Sequence, residues 1–251
     1  MVFCSVVGMG DEMSKGTKER AAAKRIVEQQ KARERRRAVT IWTSVAVVVL
    51  LVIAGLIGWA VLAGQEKDNA ANLTTPTVAV DGSTAFAVGD GPVKVDIYED
   101  FMCPICHEFE DSAGPTIQRL VDANKVTVQY HPIAFLDRAS NGTQYSTRSA
   151  AAAAAAAEGG KFAEYHKVLF DNQPAEGSDG LTDAKLIELG RSVGLTDQAF
   201  ADAINDKTYW AWAAKVTDEA SARGVTGTPT VMVAGEKLAN PTAAALEQAV
   251  G

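Results

Sequence analysis

The segment Val93–Glu110 reads VKVDIYEDFMCPICHEFE and joins a strand pattern to a closely spaced pair of cysteines. Its first six residues alternate in polarity and are rich in β-branched side chains, which predicts a β-strand. Pro104 suits the first turn of a helix, because a backbone N–H at that position would have no partner. The segment therefore predicts a strand that leads Cys103 and Cys106 to the start of a helix.

The predicted helix start gives the two thiols different chemistry. Unpaired backbone N–H groups and the positive end of the helix dipole favour a thiolate at this place. Such surroundings lower the pKa of a cysteine from about 8.5 to roughly 3.5–7.5, and the thiolate is the form that attacks a disulfide. We predict that Cys103 is the nucleophile and that Cys106, one turn further, resolves the mixed disulfide.

The bare cysteine motif also fits other kinds of site. Cys103–His107 reads CPICH, which matches the attachment pattern of c-type haem, with His107 as the axial ligand. A zinc site needs about four ligands, and two thiols with one neighbouring histidine do not supply them. Because a strand precedes the motif, we predict a redox-active dithiol with no metal and no cofactor; a haem electron carrier stays the alternative.

The residues just after the motif predict a helix, a second helical stretch and a strand. Gly114–Pro115 predicts a break or kink in the first helix, because proline removes a helical hydrogen bond. The helical pattern resumes over residues 115–123. A second β-strand is then predicted at Val126–Tyr130 from its β-branched residues.

The remainder of the chain predicts a long helical block followed by a hairpin and a closing helix. Residues 143–222 have a helical pattern around a run of eight alanines. Within it, Thr182 and Thr196 are candidate N-caps. Residues 230–238 predict a β-hairpin, and residues 242–250 predict the last helix.

The stretch Gly227–Val233 reads GTPTVMV and places a proline directly before a strand. By itself this fits an ordinary proline at the first residue of a strand. Together with FMCPICHEFE and the helical block between them, it resembles the DsbA-like branch of the thioredoxin superfamily over about residues 78–251. The resemblance implies a thioredoxin-like α/β fold with a helical domain of about residues 141–222 inserted into it.

The resemblance also implies roles for individual residues. Thr228–Pro229 is expected to be a cis peptide bond that faces the cysteines and pairs with the substrate backbone. Pro104 and Ile105, between the cysteines, are expected to tune the redox potential together with Thr228. The dipeptide lacks the histidine of strongly oxidising relatives, which implies a milder potential.

One position departs from the pattern of the family. Many relatives have a buried acid six residues before the first cysteine, and that position here is Ile97. Asp96, Glu99 and Asp100 lie nearby but out of that register. The sequence therefore leaves the identity of any proton-relaying acid open.

The chain has three histidines, and a single histidine is more often structural than catalytic. His107 adjoins Cys106, so an influence on that thiol is kept as a hypothesis. We expect His131 to be structural, and His166 has no evident partner in the sequence.

The residues before the predicted domain indicate a membrane anchor. Residues 38–65 carry no charge and are mostly apolar, and a helix of about 20 apolar residues spans a bilayer. Residues 1–37 hold ten Lys/Arg against five Asp/Glu, and such basic segments stay in the cytoplasm. Residues 66–77 are predicted to form a polar linker. A cleaved signal peptide is the alternative, although its apolar stretch is usually shorter.

These features together predict an extracytoplasmic thiol–disulfide oxidoreductase on a single-pass anchor in the cell membrane. The rest of the chain is strongly acidic, which argues against nucleic-acid binding. The expected substrates are dithiols of exported proteins. By resemblance, the expected partner is a membrane quinone-linked thiol oxidase, either DsbB-like or vitamin-K-epoxide-reductase-like. A disulfide reductase or isomerase with the same site is the alternative function.

Overall fold

The computed structural model describes residues 52–55 and 73–251. The predicted basic segment 1–37 lies outside the described residues, as do most of the predicted anchor 38–65 and most of the linker 66–77. Residues 52–55 are helical. Among the described residues, no helix is long and apolar enough to cross a membrane. By its internal contacts the chain divides into two units, 1–65 and 66–251, and the second carries the cysteine pair.

The second unit contains a mixed β-sheet whose strands order β1-β3-β2-β4-β5. The strand bounds are β1 Phe86–Val88, β2 Val93–Glu99, β3 Val126–Pro132, β4 Thr230–Val233 and β5 Glu236–Lys237. The central strand β2 runs parallel to β3 and antiparallel to β4, so that Ile97 pairs with Tyr130 on one side and with Val231 on the other. The strands predicted from Val93, Val126 and Thr230 are confirmed.

The described residues of this unit also form seven α-helices, most of which lie between strands along the chain. Their bounds are α1 Pro104–Asp122, α2 Tyr145–Glu158, α3 Phe162–Asp171, α4 Asp183–Ser192, α5 Gln198–Asn205, α6 Trp210–Ala222 and α7 Ala243–Val250. Helices α2 to α6 lie between β3 and β4, so the helical character predicted for residues 143–222 is confirmed. The hairpin and the closing helix are also confirmed, and the Thr242 hydroxyl accepts a hydrogen bond from the backbone N–H of Ala245 at the start of α7.

Helix α1 continues through Gly114–Pro115, so the predicted break is wrong, and the kink predicted as its alternative stays a prediction. A proline inside a helix costs about 3 kcal/mol. The cost is reduced here because Pro115 and Asp111, whose carbonyl loses its helical partner, are both exposed to water. Burial of apolar residues on the other face of α1, including Ile117 and Leu120, offsets the remainder.

Helix α2 is the centre of the helical block. All eight alanines from Ala150 to Ala157 are buried, and α2 contacts α3, α4, α5 and α6. Small side chains let these helices approach α2 closely, so the alanine run is a packed core element.

Of the two predicted N-caps, Thr182 is confirmed and Thr196 is not. The Thr182 hydroxyl accepts a hydrogen bond from the backbone N–H of Lys185, as predicted. Thr196 is not a cap, because α5 begins one residue later than predicted. There Asp197 accepts the N–H of Ala199 at 3.0 Å, and aspartate ranks above threonine as an N-cap.

Candidate active site

The loop that leaves β2 delivers both cysteines to the start of α1. Cys103 is the N-cap residue of this helix, and Pro104 occupies its first turn. Cys103 is 6% exposed and Cys106 is 1% exposed. The backbone carbonyl of Cys103 accepts the N–H groups of Cys106 and His107 at 3.1 and 3.2 Å. The predicted placement of the two thiols at a helix start is therefore confirmed.

The two thiols differ strongly in acidity. The Cys106 thiol donates a hydrogen bond to the Cys103 sulfur, which lowers the pKa of Cys103 to about 6 although burial opposes this. The Thr228 side chain and the backbone N–H groups of Cys106 and Ile105 lower this pKa further. Burial, and then the bond to Cys103, raise the pKa of Cys106 far above its ordinary value. At neutral pH the pair therefore holds a thiolate at Cys103 and a thiol at Cys106.

The loop before β4 lies against the first cysteine. The Thr228–Pro229 peptide bond is cis, as the resemblance implies. The Cys103 Sγ lies 3.6 Å from the Thr228 carbonyl oxygen. Thr228 and Pro229 are half-buried, and Ile105 beside the thiols is 56% exposed. An accessible apolar surface thus adjoins the reactive sulfur.

Asp100 fixes the loop between β2 and Cys103. Its side chain is fully buried. Oδ1 accepts the N–H of Met102 at 2.9 Å and the Ser146 hydroxyl at 2.7 Å, and Oδ2 accepts the N–H of Leu136 at 2.9 Å. Burial raises the pKa of Asp100 to about 7. The carboxyl group connects the active-site loop to α2, which explains an acid at this position.

The family model described as Thioredoxin matches residues 81–251. The chain belongs to the thioredoxin family. The matched range contains both the cysteine pair and the cis-proline loop.

Solved structures narrow the relationship to the DsbA-like branch. The chain is 39% identical to DsbG of Mycobacterium tuberculosis, with a TM-score of 0.60 over 69% of this chain and 88% of that one. It is 37% identical to DsbA of the same organism, with a TM-score of 0.59 over 66% of this chain and 90% of that one. The described domain is therefore a DsbA-type thiol–disulfide oxidoreductase domain.

Another relative matches over a shorter region. The serine/threonine-protein kinase PknE of Mycobacterium tuberculosis is 34% identical over 116 residues, which are 44% of this chain. That match spans only 20% of the kinase's length. It therefore concerns one part of a larger protein.

Within this DsbA-like domain, the acids near β2 occupy separate environments. Ile97 is fully buried in the core of the sheet. Asp96 Oδ1 lies 3.2 Å from both the Lys94 ammonium and the His131 Nε2. His131 is buried and stacks on Tyr98, in agreement with the structural role expected for it.

His166 has a partner that the sequence did not reveal. Its Nε2 lies 2.6 Å from Glu99 Oε1, and both side chains are buried. The partner that was not evident in the sequence is therefore Glu99. The two residues are 67 positions apart, so local spacing gives no signal of the pair. His107 instead lies 3.6 Å from Asp111 on the next turn of α1.

Sequence reasoning also missed Gln173, which follows α3. Its side-chain amide donates hydrogen bonds to the backbone carbonyls of Cys103 at 2.9 Å and Phe101 at 3.1 Å. These bonds hold the loop around the nucleophile from the side of the helical block. A glutamine in a loop carries no motif, so only the fold reveals this contact.

Proposed function

We propose that this chain is an extracytoplasmic oxidase that introduces disulfides into exported proteins through a Cys103–Cys106 disulfide. The observation that carries the proposal is the opposite acidity of the two thiols. A lowered Cys103 pKa stabilises the reduced enzyme, and an enzyme whose reduced form is stabilised is the stronger oxidant. The Cys103 thiolate is also the better leaving group, which speeds release of the oxidised substrate.

The reaction transfers two electrons from a substrate dithiol to the enzyme disulfide. A substrate thiolate attacks the Cys103 sulfur, and the bond to Cys106 breaks. The Cys106 thiolate then takes a proton, because its burial disfavours the charged form. The second substrate thiolate attacks the substrate sulfur of the mixed disulfide, which releases Cys103 as a thiolate and leaves the substrate oxidised.

The cis-proline loop is the proposed substrate contact. Thr228 and Pro229 lie beside the reactive sulfur and are partly open to solvent, so an extended substrate segment can pair with this backbone. The exposed Ile105 offers apolar contact to the same segment. Pro104 and Ile105, together with Thr228, are the proposed determinants of the potential.

The proposed location is the outer side of the cell membrane, on an anchor formed by residues 38–65. A basic N-terminal segment before an apolar run supports this orientation. Reoxidation then requires a membrane acceptor for two electrons, and a DsbB-like or vitamin-K-epoxide-reductase-like quinone-linked oxidase is the proposed partner. No nucleic-acid partner is proposed.

A disulfide reductase or isomerase is the second candidate. The observation in its favour is the Pro104–Ile105 dipeptide, which places no charged or hydrogen-bonding side chain between the thiols. Such a role needs a reducing donor rather than an oxidising partner. The direction of electron flow separates the two functions.

Single-turnover oxidation of a dithiol peptide by the full chain tests the activity. The disulfide form should oxidise one equivalent of peptide, and Cys103→Ser should abolish the reaction. Cys4→Ser is the matched control and should react like the parent. Oxidation that survives in Cys103→Ser would refute the assignment of this cysteine as the nucleophile.

A further inference from the structure

A second cluster of ionisable groups lies between β2, α1 and α3. It consists of Glu99, Glu110 and His166, one from each of these elements. One of its members, Glu99, is near enough to Cys106 to help raise the pKa of that thiol. One ligand atom from each residue lies within 4.8 Å of the other two. Such a group of two carboxylates and one imidazole has the composition of a metal site.

The carboxylates of this cluster are incompletely paired. Glu99 is 1% exposed, and its Oε1 bonds to His166 while its Oε2 has no hydrogen-bond partner. Glu110 Oε1 is also buried without a partner. A buried carboxylate oxygen without a partner is costly. With both carboxylates ionised and the imidazole charged, one negative charge is left in excess. Burial raises the pKa of Glu110 to about 7, so either a proton or a bound cation can neutralise this excess.

A comparable cluster elsewhere in the domain provides an internal comparison. Asp81, Asp96 and His131 also bring their ligand atoms together. There, Lys94 lies 3.2 Å from each aspartate, and Arg223 pairs with Asp81. Those carboxylates are therefore neutralised by protein cations. Among the described residues, neither Glu99 nor Glu110 forms an ion pair with a lysine or an arginine.

A cavity gives the first cluster access to solvent. It has a volume of about 430 Å³ and lies between α1 and α3. Glu110 and His166 both line it, together with Tyr130 and Phe170. A small ion can therefore reach two of the three candidate ligands without unfolding the sheet.

We propose that Glu99, Glu110 and His166 bind one divalent transition-metal ion of the zinc type. Zinc accepts imidazole nitrogen and carboxylate oxygen, and in sites open to solvent a water is the fourth ligand beside three from the protein, whereas calcium and magnesium prefer oxygen ligands throughout. The open position faces the cavity, where water completes the coordination. Binding replaces the direct hydrogen bond between Glu99 and His166, because both side chains then turn to the ion.

The ion has a structural consequence for the active-site region. Glu99 ends β2, four residues before Cys103, and His166 belongs to the helical block. A shared ion therefore ties the strand that carries the active-site loop to α1 and α3. This inference departs from the sequence prediction of no metal, because the three ligands come from distant parts of the chain.

Zinc titration of the full chain with Cys4, Cys103 and Cys106 all changed to Ser tests the site, because this variant has no thiol ligand. We expect one Zn²⁺ per chain by calorimetry. Glu110→Gln and His166→Gln should each weaken binding at least about tenfold, since loss even of groups that only support ligands costs 10–100-fold. Asp111→Asn, at the same cavity but outside the cluster, is the matched control and should bind like the parent.

A second measurement needs no change in the cluster. The chain has only three histidines, so their ring signals can be followed by NMR during Zn²⁺ addition to the thiol-free chain. His166 should shift while His107 and His131 stay unchanged. A thiol-free chain that binds no Zn²⁺ would overturn the proposal, and so would a shift at His131 in place of His166. Protons would then be the groups that neutralise Glu99 and Glu110.

Discussion

Cys103 and Cys106 are three positions apart, yet the fold gives them opposite proton affinities. The first accepts hydrogen bonds from the second and from backbone N–H groups at the start of α1. The second is buried beneath it. Helix geometry thus converts a short sequence spacing into a nucleophile and a protected partner.

The lowered Cys103 pKa predicts a pH-dependent reactivity. In the reduced chain with Cys4→Ser, the rate of alkylation by iodoacetamide should rise with pH around a midpoint of about 6. Cys106→Ala should move the midpoint upward, because it removes the largest cause of the lowering. A parent midpoint near 8.5, the ordinary value for a free thiol, would contradict the account.

The same shift predicts how the reduced fold depends on pH. The folded-state pKa of Cys103 lies below the ordinary value, so its thiolate stabilises the reduced chain fully above the unfolded pKa. This contribution to stability decreases as the pH falls, and it is lost as the pH passes below the folded-state pKa of about 6. Urea unfolding should show this loss as a difference in unfolding free energy between the reduced chain and Cys103→Ser that shrinks as the pH falls to 6. The comparison is needed because the raised pKa of Asp100 gives the opposite pH dependence, which both chains share.

Gln173 is expected to support the active-site loop. Gln173→Ala removes two hydrogen bonds to backbone carbonyls, and each such bond contributes about 1 kcal/mol. The free energy of unfolding should fall by about 1–2 kcal/mol, and dithiol oxidation should slow. Gln198→Ala removes an exposed bond to Asp202 and should change stability by less than about 0.5 kcal/mol. Equal effects of the two changes would refute the supporting role.

The roles of single residues were predictable where a short stretch of sequence indicates them. The cysteine spacing and the proline before β4 are short patterns, and a specific family resemblance gives them meaning. The contacts of Gln173 with Cys103 and of Glu99 with His166 join residues about 70 positions apart. No local pattern encodes such contacts, because folding alone brings these side chains together.

At the scale of elements, burial decides where local propensity is ambiguous. Helix α1 keeps its course through Pro115 because the lost hydrogen bond faces water and the opposite face packs on the core. Helix α2 gains its stability from neighbours on several sides, which the alanine run alone did not reveal. The short strand β1 has only three residues and gave no sequence signal.

The packing around α2 predicts a strong effect of added volume. Ala154 is fully buried, so Ala154→Leu forces neighbouring helices apart and should destabilise the domain by about 1–3 kcal/mol or more. Ala244→Leu, on the exposed face of α7, is the matched control and should have little effect. Chemical denaturation measures both. An Ala154→Leu chain as stable as the control would show that α2 is loosely packed.

At the scale of the whole molecule, the succession of strands, helical block and hairpin along the chain was predictable, and so was the thioredoxin-like class. The order of strands within the sheet was not, because strand pairing depends on contacts between distant segments. The membrane anchor stays a prediction from residues 38–65, most of which lie outside the described residues. An anchor there would place the dithiol beside a membrane electron acceptor.

The reduction potential of the Cys103–Cys106 pair tests the central claim most directly. It is measured by equilibrating the full chain, with Cys4→Ser, against glutathione redox buffers. The oxidase account predicts a value closer to the roughly −120 mV of a strong oxidant of this family than to the roughly −270 mV of thioredoxin. A potential near −270 mV would contradict it and assign the chain to disulfide reduction.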